Sequence, residues 1–328
     1  MGTVSSTLPQ VLRLPHRRAI GVFAVLLVAL PWLLPSNYYL NVLVFAGINV
    51  LLALGLNLVM GYTGQVSLGH AGFYGLGAYA SGVLTTKYGF NAWVALLAAM
   101  LLTAVISAAI GAITLRLQGY FLSMATLGFG IILHILFVEL AGLTGGPSGL
   151  TGIPNLGIGA LALRGDLMYY YFTWGLVCLV LLGAVHLVDS RFGRALRAIQ
   201  GDEIAAGLAG IDTLAAKVQV FVAAACLASL AGSIYAHYVS VLSPDSFGFM
   251  FSIELVVMVV VGGAGSIWGG VVGALILTVL PEFLRALRDY DVLAFGLIVV
   301  LIVMFLPRGL AGSLEHGLLQ RRVLRFGR

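Results

Sequence analysis

The residues best placed to do chemistry lie where an apolar chain turns briefly polar. Between two long hydrophobic runs, Gly61-Tyr62-Thr63-Gly64-Gln65-Val66-Ser67-Leu68-Gly69-His70-Ala71-Gly72 holds four glycines and five hydrogen-bonding side chains. Backbone that leaves a helix at membrane depth must be buried in protein or line a water-filled cavity, because lipid cannot satisfy its N–H and C=O groups. Thr63, Gln65, Ser67 and His70 are therefore candidate lining residues of a translocation path. The same reasoning applies to Gly262-Gly263-Ala264-Gly265-Ser266-Ile267-Trp268-Gly269-Gly270. Each break contains Gly-x-x-Gly followed by Gln-Val or Ser-Ile, a pattern expected of an internal duplication. Two tight turns with no path between them would carry the same glycines.

Other spacings point to packing. Gly265, Gly269 and Gly273 fall at i, i+4 and i+8, and Gly77 with Ser81 forms another small-x-x-x-small pair, the pattern that lets helices approach closely. Ionisable side chains at membrane depth are costly, about 2.5–3.5 kcal/mol each for acids and bases at a helix centre. Glu139, His186 and His237 fall near the ends of apolar runs and are expected to reach the interface. His134 stands alone, and Glu254 lies close to one end of its run. No paired acids or His/Glu chain suggests a proton relay. There is no Gly-x-x-x-x-Gly-Lys-Ser/Thr, and the only lysines are Lys87 and Lys217, so ATP is not bound here by a phosphate loop. HExxH and GxSxG are also missing. Cys178 and Cys226 sit in apolar runs without metal or redox spacing. No catalytic residue, metal or bound cofactor is expected.

The elements that must position these residues follow from composition. Of 328 residues, 61% are hydrophobic and 9% charged, with 17 Lys/Arg and 12 Asp/Glu. Soluble domains carry about 25% charged residues. The pattern predicts an all-α, polytopic helical membrane bundle. Ten spans are expected, at about 19–35, 39–60, 66–86, 91–115, 119–141, 168–188, 217–241, 249–263, 266–284 and 292–307. With the N-terminus inside, thirteen basic residues fall in cytoplasmic segments and four outside, namely Lys87, Arg164, Arg285 and Arg288. Fusing the eighth and ninth spans would give ten against seven, so the ten-span arrangement is preferred.

The chain divides into a cytoplasmic segment 1–18, a permease domain 19–307 and a basic cytoplasmic tail 308–328. The basic residues flank apolar runs, which speaks for membrane orientation and lipid contact and against nucleic acid. An external loop at about 142–167 is rich in Gly and Pro and includes Arg164. An internal loop at about 189–216 is the most charged stretch. Arg191, Arg194 and Arg197 recur on one face, and Asp202 and Asp212 stand at N-cap positions. That loop reads as an elbow of short helices, or else as a basic patch on anionic lipid.

Three motifs jointly resemble one family. Asn57 to Ala71, Thr144-Gly145-Gly146-Pro147-Ser148-Gly149-Leu150-Thr151-Gly152-Ile153-Pro154, and Gly262 to Gly269 are similar to the LivM-type permeases of branched-chain amino acid ABC importers. The resemblance runs from about Asn41 to Gly309. It implies a subunit that forms the pathway with a sister permease as a heterodimer. Two cytoplasmic ATPase subunits that hydrolyse ATP would drive it, and an external substrate-binding protein would feed it, in a bacterial inner membrane. The internal loop also resembles the ATPase-coupling motif of importer permeases: Ala205 and Ala206 are followed three residues later by Gly210. The family's acid stands one position early here, at Glu203, and Ile204 takes its usual place. Permeases for urea and short amides belong to the wider family and stay open as an alternative. An ion-coupled secondary carrier is a further one, disfavoured by the missing acid relay.

Overall fold

A computed structural model describes residues 16–33, 36–158, 161–163, 165–285, 291–306 and 309–311. The segment 1–15, the tail beyond 311, and Arg164 and Arg288 lie outside the described residues. The helices are α1 (His16–Leu33), α2 (Asn37–Thr63), α3 (His70–Thr86), α4 (Ala92–Thr114), α5 (Tyr120–Glu139), α6 (Ala141–Thr144), α7 (Asp166–Asp189), α8 (Arg191–Gly201), α9 (Glu203–Leu208), α10 (Thr213–Val239), α11 (Phe249–Gly262), α12 (Ile267–Leu284) and α13 (Asp291–Phe305). Six of them, α2, α4, α5, α7, α10 and α12, are long and apolar enough to cross a membrane. Among the described residues the protein is all-α, with four two-residue strands.

Helix α2 is the core. Its most apolar stretch is 83% buried by the rest of the chain, against 28% for α4 and 22% for α5. Around α2 pack α7, α10, α11 and α12, and α3, α4 and α10 pack on one another. Buried hydrophobes point all round α2, as expected of a helix with no lipid-facing side. One very close crossing is α3 on α10. A Cβ on Gly77 would lie 2.4 Å from Ser229 Cα, and one on Gly232 would lie 2.0 Å from the Tyr74 carbonyl oxygen. Such small residues let backbones meet where apolar burial gives no advantage over lipid contact.

The polar connections gather at two ends of the bundle. At one, Gln118 and Glu203 meet, and the α2–α3 connection faces Asp202. At the other, Lys87 Nζ donates to the Gly142 carbonyl, and Leu150–Thr151 (β1) pairs antiparallel with Val241–Leu242 (β4). A second small hairpin, Gly157–Ile158 (β2) with Leu161–Ala162 (β3), lies in the same long connection.

Candidate translocation and coupling site

The stretch between α2 and α3 leaves helical geometry at 64–69. Gly64, at φ 71°, ends α2 in the left-handed conformation. Side chains from neighbouring helices satisfy the freed backbone. Thr126 Oγ1 accepts from Leu68 N at 3.1 Å, Ser123 Oγ donates to the Val66 carbonyl at 3.1 Å, and Ser252 Oγ accepts from Ala71 N at 3.1 Å. Helices α5 and α11 thus hold the break from both sides. Gly69 admits the approach, since a Cβ there would lie 2.3 Å from the Thr126 carbonyl oxygen.

The four candidate path residues divide in two. Thr63 and Gln65 border a cavity of about 290 Å³. Thr63 is also tied to its own helix, donating to the Val59 carbonyl at 2.6 Å. Ser67 and His70 do not line that cavity and are buried within the chain. Among the described residues, Gln65 Oε1, Ser67 Oγ and His70 Nε2 are buried without a hydrogen-bond partner. Three such atoms within six residues is an unusual concentration, because buried polar groups are normally satisfied.

The second break, 263–266, sits against α2. Asn57, buried on α2, donates through Nδ2 to the Ser266 carbonyl at 2.7 Å and accepts at Oδ1 from Gly265 N at 3.0 Å. A Cβ on Gly61 would lie 2.2 Å from Gly265 N. Both breaks therefore meet the C-terminal part of α2. Gly61 and Asn57 are two and six residues before the end of that helix, so the second break meets it about 3–9 Å along from that end. Of the three glycines at i, i+4 and i+8, Gly265 belongs to the turn. Gly269 and Gly273 face the backbone around the end of α11, where Cβ atoms would lie 2.2 Å from the Gly263 carbonyl oxygen and 1.9 Å from that of Met258. Asn57 is one of four asparagines in α2, beside Asn37, Asn41 and Asn49, and its partners lie some 208 residues away, so sequence alone does not single it out.

The internal loop folds as α8 and α9. Helix α8 buries Gly193, Leu196 and Ile199 and exposes Arg191, Arg194 and Arg197. Two of those arginines turn back onto the end of α7, with Arg197 donating to the Val188 carbonyl at 3.0 Å and Arg194 to that of Asp189 at 3.2 Å. Asp202 caps α9 by accepting from Ile204 N and Ala205 N, and Asp212 caps α10 by accepting from Ala215 N. Gly210 ends the elbow at φ 84°, with nothing near its missing Cβ.

The coupling candidates likewise point in different directions. Ala206 is buried, and Ala205 and Gly210 are exposed. Glu203 turns inward to form an ion pair with Lys217 of α10 and accepts from Gln118 Nε2 at 3.3 Å. Lys217 is only 2% exposed, although sequence alone counts it as a loop cation. The most exposed apolar side chains of α9 are Ile204 and Leu208. Asp202, Glu203, Gln118 and Lys217 line the same cavity as Thr63 and Gln65, so the first break and the charged elbow share one space. Sequence reasoning missed Lys217 and Gln118, which no local spacing links to either motif.

At the opposite end the structure corrects one expectation. His237 does not reach toward an interface; it is wholly buried, with Nε2 2.8 Å from Ser81 Oγ and Nδ1 2.6 Å from the Pro154 carbonyl oxygen. The reason is that the long connection folds back over the end of α10 and covers it. Among the described residues, no group of three His, Cys, Asp or Glu side chains converges as a metal site.

Comparison with known proteins agrees with this architecture. A family model described as branched-chain amino acid transport system / permease component matches residues 38–306. The high-affinity branched-chain amino acid transport system permease protein LivM of Escherichia coli (strain K12) is 32% identical over 261 residues, covering 73% of this chain and 61% of the relative. LivH of Salmonella typhimurium is 36% identical over 129 residues, covering 38% of this chain and 41% of LivH. The ribose import permease protein RbsC of Haemophilus influenzae is 32% identical over 127 residues, 36% of this chain and 39% of that one. The chain thus spans about 61% of the length of the LivM relatives it matches. No solved structure matches it. A family match across most of the chain, joined to six helices long and apolar enough to cross a membrane, places it in a known group: the chain belongs to the branched-chain amino acid transport system / permease component family.

Proposed function

We propose that this chain is a permease subunit of an ABC importer in a bacterial inner membrane, carrying branched-chain or other hydrophobic amino acids. It forms the pathway with a sister permease, is driven by two cytoplasmic ATPases and receives substrate from an external binding protein. The observation that carries this reading is the shared cavity, where Thr63 and Gln65 of a broken helix face Glu203 and Lys217 of the charged elbow. A transport path and its drive must meet somewhere, and these are the polar elements that do so. Family membership supplies the substrate class.

In this reading α1 to α5, α7 and α10 to α13 are ten spans, with both termini in the cytoplasm. Helices α3 and α11 have 17 and 14 residues, about 26 and 21 Å against a hydrocarbon core of roughly 30 Å. Their crossings are completed by the two breaks, which stay inside protein. Of the four candidate residues, Thr63 and Gln65 border the path, and Ser67 and His70 belong to the broken backbone packed behind them. The loop 189–216 meets an ATPase through Ala205, Gly210 and the exposed Ile204 and Leu208, while Glu203 and Ala206 hold α9 from behind. The loop 142–167 receives the binding protein.

The test is reconstitution with the sister permease, ATPases and loaded binding protein in proteoliposomes. Uptake of labelled leucine, isoleucine or valine that requires all components supports the reading. Uptake of urea alone would reassign the substrate, and uptake without the ATPases would make the chain a secondary carrier.

A further inference from the structure

Helix α10 runs unbroken through 27 residues, about 40 Å, and carries a buried polar side chain near each end that holds a different peripheral element. At one end Lys217 pairs with Glu203 of α9 and lies 3.5 Å from the Leu115 carbonyl oxygen. At the other, His237 bridges Ser81 of α3 and the Pro154 carbonyl of the long connection. The second junction is reinforced. The Tyr169 hydroxyl donates to the His237 carbonyl at 2.8 Å and accepts from Leu156 N at 3.0 Å, and Ile153 N donates to the Ser240 carbonyl at 3.3 Å. Neither side chain is needed to seat α10, which is already packed on α2, α3 and α4.

The peripheral elements do need them. A six-residue helix cannot hold itself in water, since isolated helices below about 12–15 residues are marginal. The other attachments of α9 include its Asp202 cap, the buried Ala206, the bond from Gln118 to Glu203 and its packing on α8. A buried lysine is expensive unless paired, so removing either partner loses more than a surface contact would. The segment around Pro154 is fixed by two-residue strands, by the His237, Tyr169 and Ser240 bonds, and by the buried Leu150, Ile153 and Leu156, with no helix of its own among the described residues.

Building on the permease reading above, we infer that Lys217 and His237 are positioning residues that make α10 the strut between the two partner-facing surfaces. Lys217 sets the attitude of α9 toward the ATPase, and His237 sets the 150–158 segment toward the binding protein. Because one stiff helix carries both, a displacement at either surface reaches the other without passing through the substrate path. This also accounts for the acid at 203 standing where it does: its partner is Lys217 and not the ATPase.

Two measurements test it. Hydrogen exchange on the detergent-purified chain should show the amides of 203–208 exchanging roughly tenfold faster in Lys217→Met, with 150–158 unchanged, and the reverse in His237→Ala. In the reconstituted complex, the ratio of binding-protein-stimulated to basal ATP hydrolysis should fall roughly tenfold in each variant. The pair Lys217→Glu with Glu203→Lys should recover it. If Lys217→Met fails to accumulate, that swapped pair decides: recovery supports the strut and no recovery overturns it. Unchanged exchange overturns it, as does altered exchange with an unchanged ratio, which would leave two local anchors and no strut. A wild-type complex that ignores the binding protein while the exchange results hold would instead refute the importer reading.

Discussion

One buried amide closes the second break. Asn57 satisfies a donor at Gly265 and an acceptor at Ser266, and leucine at that position would keep the volume while orphaning both. Each buried orphan costs about 1–3 kcal/mol, so Asn57→Leu should lose roughly 2–6 kcal/mol, read as a lower thermal midpoint in detergent. A midpoint equal to wild type would refute the role. The polar residues of the first break were legible because glycines and hydroxyls stand out in an apolar sequence, but their facing was not. Thr63 and Gln65 open onto the cavity, whereas Ser67 and His70 are packed behind it. With Cys178 and Cys226 replaced, Gln65→Cys should react with a water-soluble maleimide in this state, and Ser67→Cys and His70→Cys should be protected. Equal labelling of all three would mean that the break opens as a unit. Lys217, Gln118 and His237 were not legible as site residues, since each meets its partner only after distant segments are brought together.

At the level of elements, helix ends could be read closely because charges, prolines and glycine clusters interrupt the apolar runs. The expected 91–115 and 266–284 correspond to α4 at Ala92–Thr114 and α12 at Ile267–Leu284. The start of α3 was set four residues early, at 66 and not His70, because hydropathy cannot tell extended apolar backbone from helix. The small-residue rule located a crossing at Gly77, while the matching Gly232 on α10 emerged only from the structure. Gly232→Leu would force α3 and α10 apart and should abolish a monodisperse peak in size-exclusion chromatography. Gly128→Leu on α5, where nothing lies within 4 Å, should leave that peak intact. In the elbow, Gly210→Val has room for its side chain but must hold φ near 84°, at a cost of about 1–2 kcal/mol. That should distort the end of α9 and weaken ATPase association while insertion stays normal; unaltered association would remove Gly210 from the coupling surface.

Across the whole molecule, the segregation of polar connections into two ends gives the topology its sharpest consequence. Fusing the eighth and ninth apolar segments into one crossing would place Arg285 on the side opposite the start of α2. The structure instead brings Arg285 Nη1 within 2.6 Å of the Tyr38 hydroxyl, with Glu282 beside it, at the N-terminal end of α2. Asn41, one turn further on, bonds the Tyr238 hydroxyl at 2.8 Å, and that hydroxyl reaches Asp166 at 2.9 Å, so the cluster shares its end with the long connection. Tyr88, beside the Lys87 that holds Gly142, belongs to the same end. Leu208 of α9 is exposed at the other. In a background without Cys178 and Cys226, Tyr88→Cys and Arg285→Cys should therefore both be labelled from outside intact cells by an impermeant maleimide. Leu208→Cys should be labelled only after the membrane is opened. Arg285→Cys protected outside while Tyr88→Cys reacts would mean that α11 and α12 form one crossing. The cytoplasmic placement of the tail would then fall with it, because the last helix would run in the opposite direction.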